Sequence, residues 1–217
     1  CPWCPYGADT LEAILAARND VRVLAYHGGS SSEPLQTTEG NQIPAKLQLQ
    51  GYPQASIDRV IWNFGGGNYA RCVSRGLWNP LVGVRGSGGV HLSPLSLTVS
   101  GFVDTTTHTI TVNITGNILV DMPYACNINV ILSESDIMVP QVFTPDGKST
   151  VLLNPYYHKH VVRKMVTGVE GDTLTTIGYT AGQSFQHQVV WTMPSWWKKD
   201  KMELTVFVDR MQGTDFL

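Results

Sequence analysis

Charge is scarce in this chain and leans to neither sign. Asp, Glu, Lys and Arg make up 15% of its 217 residues, and the formal net charge is -2 at pH 7. A chain so composed has no electrostatic footprint for nucleic acid or for an anionic membrane surface. Its most basic stretch, Lys198-Lys199-Asp200-Lys201, reads as a solvated turn. No apolar run approaches the ~18 residues that a membrane-spanning helix needs. No Ser, His and Asp stand at a recognisable catalytic spacing, and Gly65-Gly66-Gly67 does not match a phosphate loop. Internal repeats and low-complexity tracts are missing too. Cysteine is limited to Cys1, Cys4, Cys72 and Cys126. What remains is 42% hydrophobic, enough for packed cores, in a length that suits one domain or two.

Two of the four cysteines stand together. Cys1-Pro2-Trp3-Cys4-Pro5 runs directly into a helical pattern from Asp9 to Arg18, with Leu11, Ile14 and Leu15 at helical spacing. A helix N-terminus presents free N–H groups and a positive partial charge, which favour a thiolate. A second thiol three residues on can resolve a mixed disulfide. Cys1 is thus the candidate attacking thiol and Cys4 its partner, and no cofactor or metal is called for. Cys72 and Cys126 fit either a structural disulfide or two buried, unreactive thiols.

The pattern changes near residue 90. Upstream, helix and strand signals mix. Val21 to Tyr26 reads as a buried strand, and Glu33 to Gln50 as a helical region broken at Pro44. Gly51-Tyr52-Pro53 is a turn, Ala55 to Trp62 a strand, and Tyr69 to Arg85 favours a helix. Downstream the period becomes two. Leu95, Leu97 and Val99 alternate with polar residues, as do Ile110, Val112 and Ile114, and Ile128, Val130 and Leu132. Phe185 to Met193 and Met202 to Val208 repeat the alternation, which argues for an antiparallel β-sandwich. Asn154-Pro155 reads as the start of one short helix near Tyr156 to His160.

The order Cys-x-x-Cys, helix, strand, helix, Gly-Tyr-Pro, strand resembles the thioredoxin fold. That resemblance implies a cis-proline loop packed against the cysteines, with Pro53 at the matching position, and it makes Trp3, Tyr52 and Pro53 the candidate substrate-binding residues. A wider resemblance rests on Glu39-Gly40-Asn41, on Gly51-Tyr52-Pro53-Gln54-Ala55-Ser56-Ile57-Asp58-Arg59, on Tyr156 to Gly168 followed by Gly171-Asp172, and on Leu204 to Arg210. These blocks are similar to Omp28-related outer membrane proteins. The family implies a thioredoxin-like domain over 1–88, a β-sandwich over 89–217, and residence in the Gram-negative envelope, outer-membrane-associated or secreted. Other envelope proteins are the expected partners, as substrate or as docking partner.

In a thioredoxin fold a central strand precedes the Cys-x-x-Cys. The expectation is that the natural polypeptide supplies this first strand upstream of Cys1. In the rival reading Cys1 is the lipidated first residue of a lipoprotein, its sulfur a thioether, and a lipid anchor or a partner provides the membrane association.

Other residues carry blander readings. His158 and His160 lack an evident third metal ligand, and Asp58-Arg59 reads as a strand-end ion pair. Trp196-Trp197 suits hairpin packing better than a sugar platform, Tyr156-Tyr157 the end of the sandwich, and His27 loop packing more than thiol tuning. Two functions follow: a surface protein with a binding or structural role, and a thiol–disulfide oxidoreductase acting on envelope proteins.

Overall fold

A computed structural model describes residues 1–29, 32–86, 93–212 and 215–216. In chain order the first elements are Cys4–Ala17 (α1), Thr38–Lys46 (α2), Gln54–Ala55 (β1), Trp62–Asn63 (β2), Tyr69–Ala70 (β3), Val73–Ser74 (β4) and Trp78–Gly86 (α3). Leu95–Asp104 (β5), Thr109–Ile118 (β6), Cys126–Glu134 (β7), Ile137–Met138 (β8), Gln141–Phe143 (β9) and Val151–Leu153 (β10) follow. The chain closes with Tyr157–His158 (β11), Val161–Met165 (β12), Asp172–Thr175 (β13), Ser184–Thr192 (β14), Met202–Gln212 (β15) and Asp215–Phe216 (β16). Helices are few, and the paired strands are mostly antiparallel.

By contact the chain divides into two compact units. One is Cys1–His91 with Glu134–Val162, and the other is Leu92–Ser133 with Arg163–Phe216. The boundary expected at 88/89 lies outside the described residues.

The second unit is the β-rich one, and its arrangement is consistent with a β-sandwich. β14, β6 and β5 form one antiparallel sheet with nine- and ten-residue registers. β12, β7, β15 and β16 lie in order in another sheet, with β13 also paired to β7. Val112, Ile114 and Phe185 from the first sheet share a core with Cys126, Ile128 and Val130 from the second. Period-two alternation builds this directly, because every second side chain of each strand points inward. Gly116 lies opposite Phe185, whose ring fills the space that a side chain at 116 would need. Leu132, Met193 and Trp197 form a smaller core beside it. The Arg163 guanidinium lies 5.0 Å from the Trp197 ring centroid and 5.4 Å from that of Trp196. Trp197 is thus packing, as expected, while Trp196 stays exposed.

The first unit is built differently. Its core gathers Ile14 of α1, Ile57, Val73 and Trp78, with the Trp78 indole donating to the Val73 carbonyl at 2.8 Å. Its strand pairs are short: β1 with β4, β2 with β3, β8 with β11, and β9 with β10. Several local expectations are corrected here. Pro44 lies inside α2 rather than breaking it, and the helix expected over Tyr69 to Arg85 is α-helical only from Trp78, with β3 and β4 ahead of it. Val21 to Tyr26 holds only a single parallel bridge, Ala25 to Val161. The strand expected over Ala55 to Trp62 is interrupted, since Asp58 and Arg59 have positive φ and Asp58 pairs with Arg85 at 2.8 Å. The helix expected after Asn154-Pro155 is instead β11, antiparallel to β8, with Tyr157 opposite Met138 and His158 opposite Ile137. β8–β11 and β9–β10 thereby form a continuous hairpin arm over 137–158, closed by a turn in which Asp146 accepts from the Lys148 and Ser149 amides.

Candidate functional site

The Cys-x-x-Cys motif is a turn feeding a helix. The Cys4 amide donates to the Cys1 carbonyl at 3.3 Å, and Cys4 is the first residue of α1. Such a turn brings the first and fourth Cα atoms within about 7 Å, inside the range a disulfide spans. Trp3 is the N-cap residue, but no side chain caps the helix and its first turn carries no acid. The free N–H groups and the positive end of the dipole are therefore not offset by a carboxylate within the first turn itself.

Both thiols are free, Cys1 exposed and Cys4 half-buried. Burial pushes the Cys4 thiol up to about 11. The Glu33 carboxylate adds to this upward push. Cys4 is thus held neutral at ordinary pH.

Pro53 reaches the same helix, and the Tyr52–Pro53 bond is cis. A Cβ added at Gly7 would stand 3.0 Å from the Pro53 Cβ and 3.1 Å from the Trp78 ring, so glycine is what admits this close approach. Tyr52 packs its ring over Gly29. Its hydroxyl is raised by burial first and then by the neighbouring Cys4 and Glu33 charges. Cys1, Trp3, Cys4, Tyr52 and Pro53 are therefore gathered at the N-terminal end of α1.

Cys72 and Cys126 are not part of this cluster, and the disulfide considered for them is absent. Each is a free, buried thiol. The Cys72 thiol donates to the Leu47 carbonyl at 3.4 Å, and Cys126 lies within the sandwich core. Burial raises both, Cys126 to about 11.

A set of imidazoles stands close by. His27 Nδ1 lies 3.4 Å from the Glu33 carboxylate, the His27 and His158 rings are 5.3 Å apart edge-to-face, and Tyr156 packs on His158 at 4.8 Å. Burial lowers both imidazoles below their usual range, so they stay neutral near pH 7. Tyr156 accordingly packs in the first unit rather than plugging the sandwich. Among the described residues no group of three or more His, Cys, Asp or Glu could hold a metal ion.

Sequence reasoning missed the arm's part in the site. Gln141 Nε2 donates to the Cys1 carbonyl at 2.8 Å, and the Thr144 amide donates to the Pro2 carbonyl at 3.2 Å. The Tyr6 hydroxyl donates to the Pro145 carbonyl at 2.6 Å, and its ring meets Phe143 edge-on at 5.1 Å. Nothing in residues 141–147 signals this, because the partners lie some 140 positions away in sequence.

Among the described residues no helix is long and apolar enough to cross a membrane. No curated protein and no solved structure matches the chain. The family described as outer membrane protein Omp28 matches residues 40–215, a stretch that takes in Tyr52, Pro53 and the whole arm and begins beyond Cys4. With most of its length inside that match, the chain belongs to the Omp28 family and is an outer-membrane-associated protein of the Gram-negative envelope.

Proposed function

We propose that this protein carries a thioredoxin-like dithiol that exchanges with disulfides of other envelope proteins. The observation that carries the reading is the difference between the two thiols of one turn: Cys1 is exposed beside an uncapped helix N-terminus, and Cys4 is held neutral by burial behind it. Pro53 packed against α1 at Gly7 supports the thioredoxin-like part of the reading. The Cys1 thiolate attacks a client disulfide, forming a mixed disulfide and releasing one client thiolate. Cys4 then gives its proton to solvent and attacks the Cys1 sulfur. The second client thiolate leaves, the client has gained two electrons, and Cys1–Cys4 is the new disulfide. Trp3, Tyr52 and Pro53 line the face that a client chain meets.

A second reading makes the pair a staple, with the β-rich unit docking to another envelope protein. The arm's grip on the Cys1 and Pro2 carbonyls favours it, since a tied-down turn suits a structural role. Equilibration in glutathione buffers, followed by acid trapping and mass measurement, separates the two. Exchange predicts a potential between about −270 and −120 mV, with Cys72 and Cys126 still alkylatable after unfolding. A value below about −300 mV would establish the staple.

A further inference from the structure

The two peptide carbonyls that open the dithiol turn are both taken by the arm. Gln141 spends one Nε2 hydrogen on the Cys1 carbonyl at 2.8 Å and the other on the Val142 carbonyl at 2.6 Å, so its amide orientation is locked. The Thr144 amide holds the Pro2 carbonyl at 3.2 Å. The arm's turn is itself pinned to α1. Tyr6 reaches the Pro145 carbonyl and Phe143, and the Arg75 guanidinium covers the Tyr6 ring at 5.0 Å. Further along, Lys159 pairs with Glu12 at 2.8 Å.

A carbonyl near a thiol presents the negative end of its dipole and so disfavours a thiolate. A donor placed on that carbonyl offsets the effect. We propose that Gln141 and the Thr144 amide are positioning groups of the dithiol: by engaging the Cys1 and Pro2 carbonyls they favour the Cys1 thiolate and set the pair toward the oxidising end of its range. The sign follows from linkage, since whatever stabilises the reduced form makes the disulfide the stronger oxidant. This rests on the exchange reading above for its biological use, but not for its measurement.

The test is made on the full chain with Gln141→Ala and Gln141→Glu, using Lys159→Ala as the control for a loosened arm. Two quantities are read: the pH midpoint for Cys1 alkylation, followed by mass, and the equilibrium constant with glutathione. In Gln141→Ala the midpoint moves up and the constant moves roughly threefold toward the disulfide, about 14 mV at 29.6 mV per tenfold. Gln141→Glu, which keeps the shape but turns an ionised acceptor toward the carbonyl, moves both further. Lys159→Ala leaves both unchanged. The proposal is overturned if Gln141→Ala matches the parent in both readouts, if Gln141→Glu goes no further than Ala, or if Lys159→Ala shifts them as much. A parent protein that never equilibrates with glutathione would end the exchange reading instead, and the alkylation midpoint would still decide the role of Gln141.

Discussion

The two units hold themselves together by different means. In the β-rich unit, β5, β6 and β14 pair over nine- and ten-residue registers, and the nine-residue β7 is buried at every position. Register there is specified many times over, because a one-residue slip would turn a whole apolar face outward. In the other unit the paired strands are two or three residues long. So short a pair specifies little by itself. Its place is fixed by side chains: Trp78 on Val73, Asp58 on Arg85, Tyr6 on Pro145. One unit is written in a period, the other in particular contacts.

That contrast can be broken by mutation. Ile128 is fully buried in β7 at the centre of the sandwich core. Ile128→Ala should cost about 2–5 kcal/mol in urea denaturation, and a loss under 1 kcal/mol would show that the core collapses around the gap. Next in size is Gly116→Ala, which drives a methyl into the Phe185 ring across the strand pair. It should cost about 1–3 kcal/mol by overpacking. Thermal melting that leaves Tm unchanged would mean that the ring simply swings away.

Gly7→Ala sharpens the other side of the comparison. Alanine gains about 0.8–1 kcal/mol of helix propensity over glycine. Against it stands the contact with Pro53 and Trp78, where overpacking costs about 1–3 kcal/mol. Net destabilisation is expected, and a stabilised variant would show that Pro53 can yield. The smallest effect is one of pH. His27 and His158 have their folded values lowered from 6.5, chiefly by burial. Their contribution is therefore complete above about pH 6.5 and is lost as the pH falls below it. Tm should drop between pH 7.5 and 5, with a smaller drop in His27→Gln. Equal drops in both proteins would remove His27 from the account.

The same contrast explains what could be read from the sequence. The alternation at Leu95–Val99, Ile110–Ile114, Ile128–Leu132, Phe185–Met193 and Met202–Val208 yields β5, β6, β7, β14 and β15. The helix expected over Asp9–Arg18 is present as the longer α1, since its apolar spacing needs no distant partner. Around Asn154-Pro155 the local signal fits a helix start, yet Tyr157 and His158 pair with Met138 and Ile137, and tertiary pairing overrides the local preference. At the candidate site the spacing marks Cys1 and Cys4, and the thioredoxin resemblance marks Tyr52 and Pro53, which the structure places against α1 and near Cys4. The contacts of Gln141 and Thr144 with the Cys1 and Pro2 carbonyls carry no such mark, because a glutamine side chain and a backbone amide look the same in sequence wherever they bond.

The span between the dithiol and the arm has a consequence for how the protein is made. Cys1 is followed by about 140 residues before Gln141 exists to hold its carbonyl. At roughly 5–20 residues per second of synthesis, the Cys1 and Pro2 carbonyls wait on the order of 10 to 30 seconds for the donors that hold them in the folded protein. Whatever oxidant or reductant meets the chain in that interval finds a Cys-x-x-Cys turn that the arm does not yet hold.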